Sequence, residues 1–451
     1  MSLNANIQEG DNKFRQYLFF WGGQLFSMLG SNIVQFVLIL WISFETESEL
    51  MLGLSSLVAF GPFLVLGPIA GILVDRLNRK LIIFSADATI AVTTVAAIVL
   101  FYTNNMTLYW FFIIIALRGI GDTFHYTAVG AMMPTMVPQK HLSRMNGINS
   151  LANGVVRIIG PAIAAGFLAI GGGGLLRHAH LLWMDIATFA IALVPLILIT
   201  IPKVSSALEK GEKISFFKDF KDALLTIKGI NGLFPLLVMF MFVNFFFTPF
   251  GTLLPLFVVK THFGFEADYA IVVAFLQAGT VIGSLIMTFF KGFKKKALSS
   301  YLAIMWAFSI FTTLYFLPSN ELWMVNGKFW LMGAITFLIV IVLPMINVSL
   351  ITAFQIIIPQ EKLGRTMSVL GTLSSAIQPI AMLLSGVIGE YTGIPIVYLV
   401  SGILGVVLCS ILWLTTKASS LDQTLNEQIE EMKQLSLSSV QETPQSSAQE
   451  N

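Results

Sequence analysis

The chain has 451 residues, 56% of them hydrophobic and only 11% charged, with a mean hydropathy of +0.82. A soluble domain carries about 25% charge, and no soluble fold of this length hides so much apolar surface. The net charge of +2 offers no polybasic field for nucleic acid, and the single cysteine, Cys409, excludes a disulfide framework and a thiolate metal site.

The opening MSLNANIQEGDNKFRQ is polar and lacks a small-residue cleavage site, so it reads as a retained segment rather than a signal peptide. Crossing a hydrocarbon core of ~30 Å takes about 20 helical residues. Apolar runs of that length fall at 17–44, 50–74, 81–103, 107–136, 143–171, 179–201, 232–260, 266–290, 298–317, 322–356, 363–389 and 394–416. They predict an all-α integral membrane protein with twelve transmembrane helices in two six-helix bundles. The segments are then a cytoplasmic N-terminal stretch at 1–16, a first bundle at 17–201, a central cytoplasmic loop at 202–231, a second bundle at 232–416 and a cytoplasmic tail at 417–451. In the central loop Ile214, Phe217, Leu224 and Ile227 alternate with Lys and Asp at helical spacing, as in an amphipathic helix on a membrane surface. In the tail Leu421, Leu425, Ile429, Met432 and Leu435 form another helical stripe, before a Gln/Ser-rich end of disordered composition.

With a cytoplasmic N-terminus, the inside loops hold 21 of the 26 Lys and Arg, and the outside loops hold only Arg177, Lys260 and Lys328. That asymmetry predicts a multi-pass cell-membrane protein with both termini inside. A repeat supports two halves: Pro138-Gln139-x-x-Leu142-x-Arg144 recurs 221 residues later as Pro359-Gln360-x-x-Leu363-x-Arg365. A period of half the chain means a duplicated bundle, the plan of many secondary transporters, with a site between the halves.

Ionisable residues at membrane depth are costly and are functional candidates by default. Arg118, Asp122 and His125 lie at i, i+4 and i+7 of one helical face. Asp122 and Arg157 each stand ~21 Å from an end of their span, near the midplane, so Asp122 is expected to pair with Arg157 or Arg118. The plainer reading is a static ion pair that fixes helix packing. Asp87 is expected to pair with a loop arginine such as Arg144. Asp185 is either a proton acceptor or a partner of Arg177. Polar candidates for a substrate cavity are Gln24, Asn32 and Gln35 in the first span and Asn244, Thr248, Gln277, Asn347 and Gln378 in the second half. Phe240, Phe242, Phe245, Phe246, Phe247 and Phe250 crowd span seven, either against lipid or along an apolar cavity wall.

Several motifs carry a family resemblance. The loop Gly71-x-x-x-Asp75-Arg76-x-Asn78-Arg79-Lys80 resembles the gating-loop pattern of the major facilitator superfamily, with Asn78 where glycine is usual. Asn tolerates left-handed backbone, which would preserve the turn. Arg118-x-x-Gly121 resembles the fourth-span motif of proton-coupled members, and Gly154-x5-Gly160-Pro161 resembles the fifth-span motif of antiporters. Val137-Pro-Gln-Lys-His-Leu-Ser-Arg-Met-Asn-Gly147, with Asp185, is similar to the macrolide-efflux branch. The resemblance covers about residues 15–416. It implies a monomeric, cofactor-free transporter that exports a small lipophilic substrate by proton antiport, through alternating access. Asp122, then Asp185, would carry the proton, with Arg118 tuning and His125 relaying. Span one lacks the acid that many proton-coupled relatives place there. A lysolipid flippase or an exporter of an anionic metabolite such as a siderophore are the alternatives on the same scaffold. An enzyme is not expected, because no nucleophile–base or metal constellation gathers; His178 and His180 lack further ligands.

Overall fold

The computed structural model describes residues 2–169, 175–199, 216–289, 293, 295–317, 327–358 and 360–416, with four positions of the tail, 422, 423, 425 and 427. Ile214, Pro359 and most of the tail stripe (Leu421, Ile429, Met432 and Leu435) lie outside the described residues, as do the side chains of Asp75, Arg76, Arg144, Arg177, Leu363 and Arg365.

Lipid offers backbone groups no hydrogen bonds, so a chain this apolar must satisfy them internally, as helices do. The first half contains α1 (Ser2–Thr46), α2 (Glu49–Arg76), α3 (Arg79–Tyr102), α4 (Leu108–Met136), α5 (Gln139–Ala169) and α6 (Leu175–Leu198). After α7 (Phe216–Gly229), the second half contains α8 (Leu233–Leu256), α9 (Glu266–Phe289), α10 (Lys296–Thr313), α11 (Lys328–Val340), α12 (Leu343–Ile357), α13 (Gln360–Ala376), α14 (Gln378–Thr392) and α15 (Ile394–Thr415). The sequence repeat is visible here, since Gln139 opens α5 and Gln360 opens α13.

Eleven spans among the described residues are long and apolar enough to cross a membrane. The twelfth is α4, whose 29 residues reach ~43 Å at 1.5 Å per residue. Arg118, Asp122 and His125 dilute its apolar character, and α2 and α3 pack along it. Within the first half α1 also packs on α5 and α6, while α8, α10 and α15 pack together in the second. The halves meet where α2 packs on α14 and α5 on α9.

Three features differ from the sequence reading. Residues 2–16 are helical and continuous with the first span, since α1 runs from Ser2 to Thr46. Spans ten and eleven are each two helices, broken at Ile341–Val342 and at Ile377. Pro344 and Pro379 stand in the first turn of the second piece in each case, where the missing N–H costs nothing but the preceding helix cannot run on. Span seven ends in a π turn, Phe257–Thr261, just after Pro255.

The tail contributes one specific contact. Lys295 provides no side-chain cap for α10. Instead Asp422 accepts from the backbone N–H groups of Ala297 at 2.9 Å and Leu298 at 3.1 Å, and Leu425 beside it is buried. A carboxylate on free helix-terminal donors is favourable in hydrogen bonding and in dipole alike. Asp422→Ala should therefore cost about 0.5–2 kcal/mol, seen as a lower melting temperature of the purified protein. An unchanged melting temperature would show that the tail does not cap α10.

Candidate functional site: a charge cluster on the wall of the central cavity

Four helices of the first half bring their ionisable residues together. Helix α4 supplies Arg118, Asp122 and His125, α3 supplies Asp87 and Thr94, α6 supplies Asp185 and α1 supplies Ser31. Close approach of α1 to α6 depends on Gly30, where a Cβ would come within 2.8 Å of the Asp185 Cα. Arg118 Nη1 donates to Asp185 Oδ2 at 3.3 Å and also to Thr94 Oγ1. Asp185 Oδ2 accepts from Thr94 Oγ1 at 2.7 Å, and its Oδ1 accepts from Ser31 Oγ at 3.3 Å. Arg118 and Asp185 are both buried. His125 Nδ1 lies 2.6 Å from Asp87 Oδ1. Its N–H is poorly aimed at that oxygen, so the contact is an ion pair when the imidazole is protonated rather than a well-formed hydrogen bond.

Asp122 stands apart. It has no hydrogen bond or ion pair among the described residues, although Arg118, His125, Asp185 and Asp87 all lie within electrostatic reach. The expected Asp122–Arg118 pair is not formed, because Arg118 reaches across the helix interface to Asp185, where Thr94 and Ser31 complete the carboxylate's bonding. The Asp122–Arg157 pair is not formed either. Both residues line one cavity, and Tyr126 is near enough to feel both charges. The expected loop partner of Asp87 is replaced by His125, which approaches from the neighbouring helix at the same depth. The partner of Asp185 is Arg118.

The cavity between the halves has two connected lobes. A polar lobe of about 350 Å³ is lined by Asn32, Gln35, Asp122, Asn153, Arg157 and Gln277, with Tyr126, Tyr269 and Pro161. A more apolar lobe of about 590 Å³ is lined by Leu38, Phe60, Phe111, Phe247, Phe250 and Met382, with Asn244 and Thr248 on its rim. Gln35, Ile39, Ala59, Ile115 and Asp122 belong to both. These volumes suit a drug-sized ligand. Three predicted lining residues are not among those that line these two lobes. Gln24 is buried in the bundle and its amide has no partner among the described residues. Asn347 is exposed on α12. Gln378 Nε2 donates to Asn244 Oδ1 at 2.8 Å, bracing α14 on α8 beside the break in span eleven. Of the six phenylalanines of span seven, Phe246 and Phe250 are buried and the other four half-buried, and Phe247 and Phe250 line the apolar lobe.

The gating-loop residues act within the first half. Arg79 donates to the Ala131 carbonyl at 2.9 Å, and Lys80 Nζ donates to the Ile197 and Ile199 carbonyls at 2.6 and 3.0 Å. Lys80 thus sits at the C-terminal end of α6, where carbonyls lack helical partners, and Arg79 against the last two turns of α4. Asn78 has φ −69°, so it needs no left-handed backbone; its side chain caps α3 by accepting from Lys80 N. A Cβ at Gly71 would meet nothing within 4 Å, and the side chains of Asp75 and Arg76 lie outside the described residues. Of the antiporter-type motif, Gly154 meets Val281 of α9, Gly160 meets Asn32 of α1, and Pro161 lines the polar lobe.

One device was missed in the sequence. At the end of the bundle opposite the N-terminus of α1, Lys260 Nζ binds both carboxylate oxygens of Glu49 at 3.0 and 2.9 Å. Glu390 accepts from Ser48 Oγ at 2.8 Å and from Leu50 N at 3.2 Å. Beside them Gly53 and Gly386 bring α2 against α14, since a Cβ on Gly53 would lie 2.6 Å from the Met382 carbonyl oxygen. The described hydrogen bonds and ion pairs between the halves all lie at this far end. The only sequence signal was an acid in the first turn of span two and a lone lysine at the end of span seven.

Two expectations follow from this geometry. Arg118→Ala leaves Asp185 buried and unpaired and should destabilise the protein by about 3–5 kcal/mol; adding Asp185→Asn should restore much of it in thermal unfolding. Failure of the double variant to recover would mean that the pair is not what Arg118 supports. Lys260→Ala should loosen the far end, so that Ser56→Cys in a Cys409→Ser background reacts severalfold faster with an impermeant thiol reagent applied from that side. An unchanged rate would mean that the ion pair does not hold the cavity shut.

Comparison with known proteins agrees with this architecture. Residues 20–378 match the Major Facilitator Superfamily. Macrolide efflux protein A of Streptococcus pyogenes is 27% identical over 390 residues, covering 85% of this chain and 92% of that protein. Macrolide efflux protein A of Enterococcus faecalis is 27% identical over 333 residues, 72% of this chain and 97% of that one. Among solved structures, a nucleoside transporter superposes with a TM-score of 0.66 at 13% identity, over 90% of this chain and 99% of its own. A D-xylose–proton symporter gives 0.63 at 15% identity, over 90% and 98%. With its twelve spans in two bundles and a cavity between them, the chain belongs to the major facilitator superfamily, a membrane transporter and not an enzyme.

Proposed function

We propose that the protein exports lipophilic compounds in exchange for protons, by alternating access, with Asp122 as the proton-carrying group. The observation that carries this reading is the charge balance of the cluster. Three acids face two cations: Arg118 is taken by Asp185, protonated His125 is taken by Asp87, and Asp122 is the acid left over. It is also the one that lines both lobes of the cavity. A carboxylate in that position has no direct hydrogen-bond or ion-pair partner among the described residues and loses hydration, so it takes up or releases a proton as access and occupancy change. Asp185 and His125 then set the field around Asp122 rather than carry the transported proton.

The apolar lobe supports a lipophilic cargo, and the similarity to macrolide efflux proteins supports export. The wall at Gly154, Gly160 and Pro161 is consistent with antiport. In this reading the N-terminal end of α1 faces the cytoplasm, and the Glu49–Lys260 end faces outside. The closed far end then corresponds to a state that loads from the cytoplasm. Substrate enters the cavity when Asp122 is ionised. The far end opens, and protonation of Asp122 from outside weakens retention of the cargo. Return of the protonated carrier delivers the proton inward.

Asp122→Asn should abolish macrolide-driven proton movement in proteoliposomes, with at least a tenfold loss of pH-gradient-driven efflux. Asp185→Asn combined with Arg118→Met, which keeps the cluster balanced, should retain measurable coupling. Full coupling in Asp122→Asn would remove Asp122 from the mechanism.

A further inference from the structure

The polar lobe holds a second charge that the proton cycle does not use. Arg157 sits on α5 in mid-span, exposed to the cavity, and forms no hydrogen bond or ion pair among the described residues. Arginine stays protonated at any accessible pH, and an unpaired guanidinium at membrane depth is costly. By contrast, Arg118 has Asp185 and Thr94 as acceptors, and Arg79 at the start of α3 has two backbone carbonyls. Arg157 has none, while five hydrogen-bonding side chains, Asn32, Gln35, Asn153, Tyr126 and Gln277, surround the same space.

Asp122 is the complementary case, an unpaired carboxylate on the same wall. Tyr126 stands within electrostatic reach of both groups, yet the two do not close on one another. The lobe is therefore close to neutral in sum but strongly dipolar. A purely cationic ligand gains from Asp122 and is opposed by Arg157. A purely anionic ligand meets the reverse. A ligand bearing both charges satisfies both groups, and recognition by difference of this kind is how charged sites discriminate. Next to it lies the lobe of Phe60, Phe111, Phe247, Phe250 and aliphatic side chains, which takes an apolar body.

We infer that the central cavity is built for an amphiphile with a dipolar head: a cationic group placed at Asp122, an anionic or phosphoryl oxygen held by Arg157, and an apolar body in the aromatic lobe. Arg157 is thus the specificity-determining residue of the site. The inference rests on the transport reading of the cavity, but it concerns equilibrium binding and needs no proton movement. Its cationic end competes with the proton for Asp122, so binding releases a proton, in keeping with exchange rather than co-transport.

The test measures binding to the full chain in nanodiscs of anionic lipid only, with four probes that share one octyl chain. These are octyl phosphocholine, octyl trimethylammonium, octyl phosphate and octyl glucoside. The wild type should bind octyl phosphocholine at least tenfold tighter than the other three. Arg157→Gln should bring octyl phosphocholine down to the level of octyl trimethylammonium without weakening the latter, and Arg157→Lys should keep part of the preference. Asp122→Asn should bring it down to the level of octyl phosphate. Lysophosphatidylcholine and a chain-bearing sulfobetaine identify the source: tighter lysolipid binding means a membrane-derived cargo, and equal binding means any dipolar amphiphile. Equal or tighter binding of octyl trimethylammonium by the wild type would overturn the inference. So would an equal loss of all four probes in Arg157→Gln, or no binding of any charged probe. Full proton coupling in Asp122→Asn vesicles, with the wild-type binding preference as predicted, would count against the exchange mechanism alone.

Discussion

The structure depends on how it keeps charge inside a medium that does not solvate it. An isolated ion at membrane depth is expensive, and removing one partner of a buried pair costs several times what the pair itself contributes. The first half meets that constraint by crossing helix interfaces. Arg118 of α4 reaches Asp185 of α6 with Thr94 of α3 and Ser31 of α1 as auxiliary partners, so one ion pair ties four helices together. Because those positions are spoken for, the side chains that remain unpaired, Asp122 and Arg157, are left available to a ligand. The static pair and the working groups are parts of one arrangement.

The second half solves a different problem. It carries almost no charge in its spans, and its irregularity is in the backbone. Prolines break spans ten and eleven, and Gln378, just after the second break, bonds Asn244 of α8. Irregular backbone at membrane depth is tolerated only where protein or a cavity covers it. The aromatic side chains of α8 pack toward α10 and α15: Phe247 and Phe250 pack on Phe311, and Phe250 also meets Tyr398. One bundle thus supplies fixed electrostatics and the other a segmented, apolar wall.

Much of this was legible in the sequence, and the rest was hidden for identifiable reasons. Twelve spans follow from apolar length, and the duplicated Pro-Gln-x-x-Leu-x-Arg stretch marks the same helix start in each half. The gathering of Arg118, Asp122 and His125 on one face is a matter of helical periodicity. Their partners were not legible, since Asp185, Asp87 and Thr94 come from other helices, and rotation about each axis is set by packing. Arg118 therefore pairs with Asp185 rather than with the acid one turn away. Asn347 and Gln24 illustrate the same limit: an amide within a span is equally compatible with a cavity, a helix interface and an outer face. The Glu49–Lys260 contact joins residues 211 positions apart, and nothing local announces it.

That contact is unequal in a way that bears on how the far end separates. The Glu49 side chain is 4% exposed and the Lys260 side chain 39%, so the ammonium already has water around it while the carboxylate does not. Glu49 also stands in the first turn of α2, where unpaired backbone N–H groups and the helix dipole favour negative charge. When the halves part, Lys260 therefore completes a hydration shell it already has in part, and Glu49 keeps the positive end of its own helix as a substitute partner. The clasp holds two bodies together through one dry group and one wet one, so its release demands the rehydration of a single carboxylate rather than of two stranded ions.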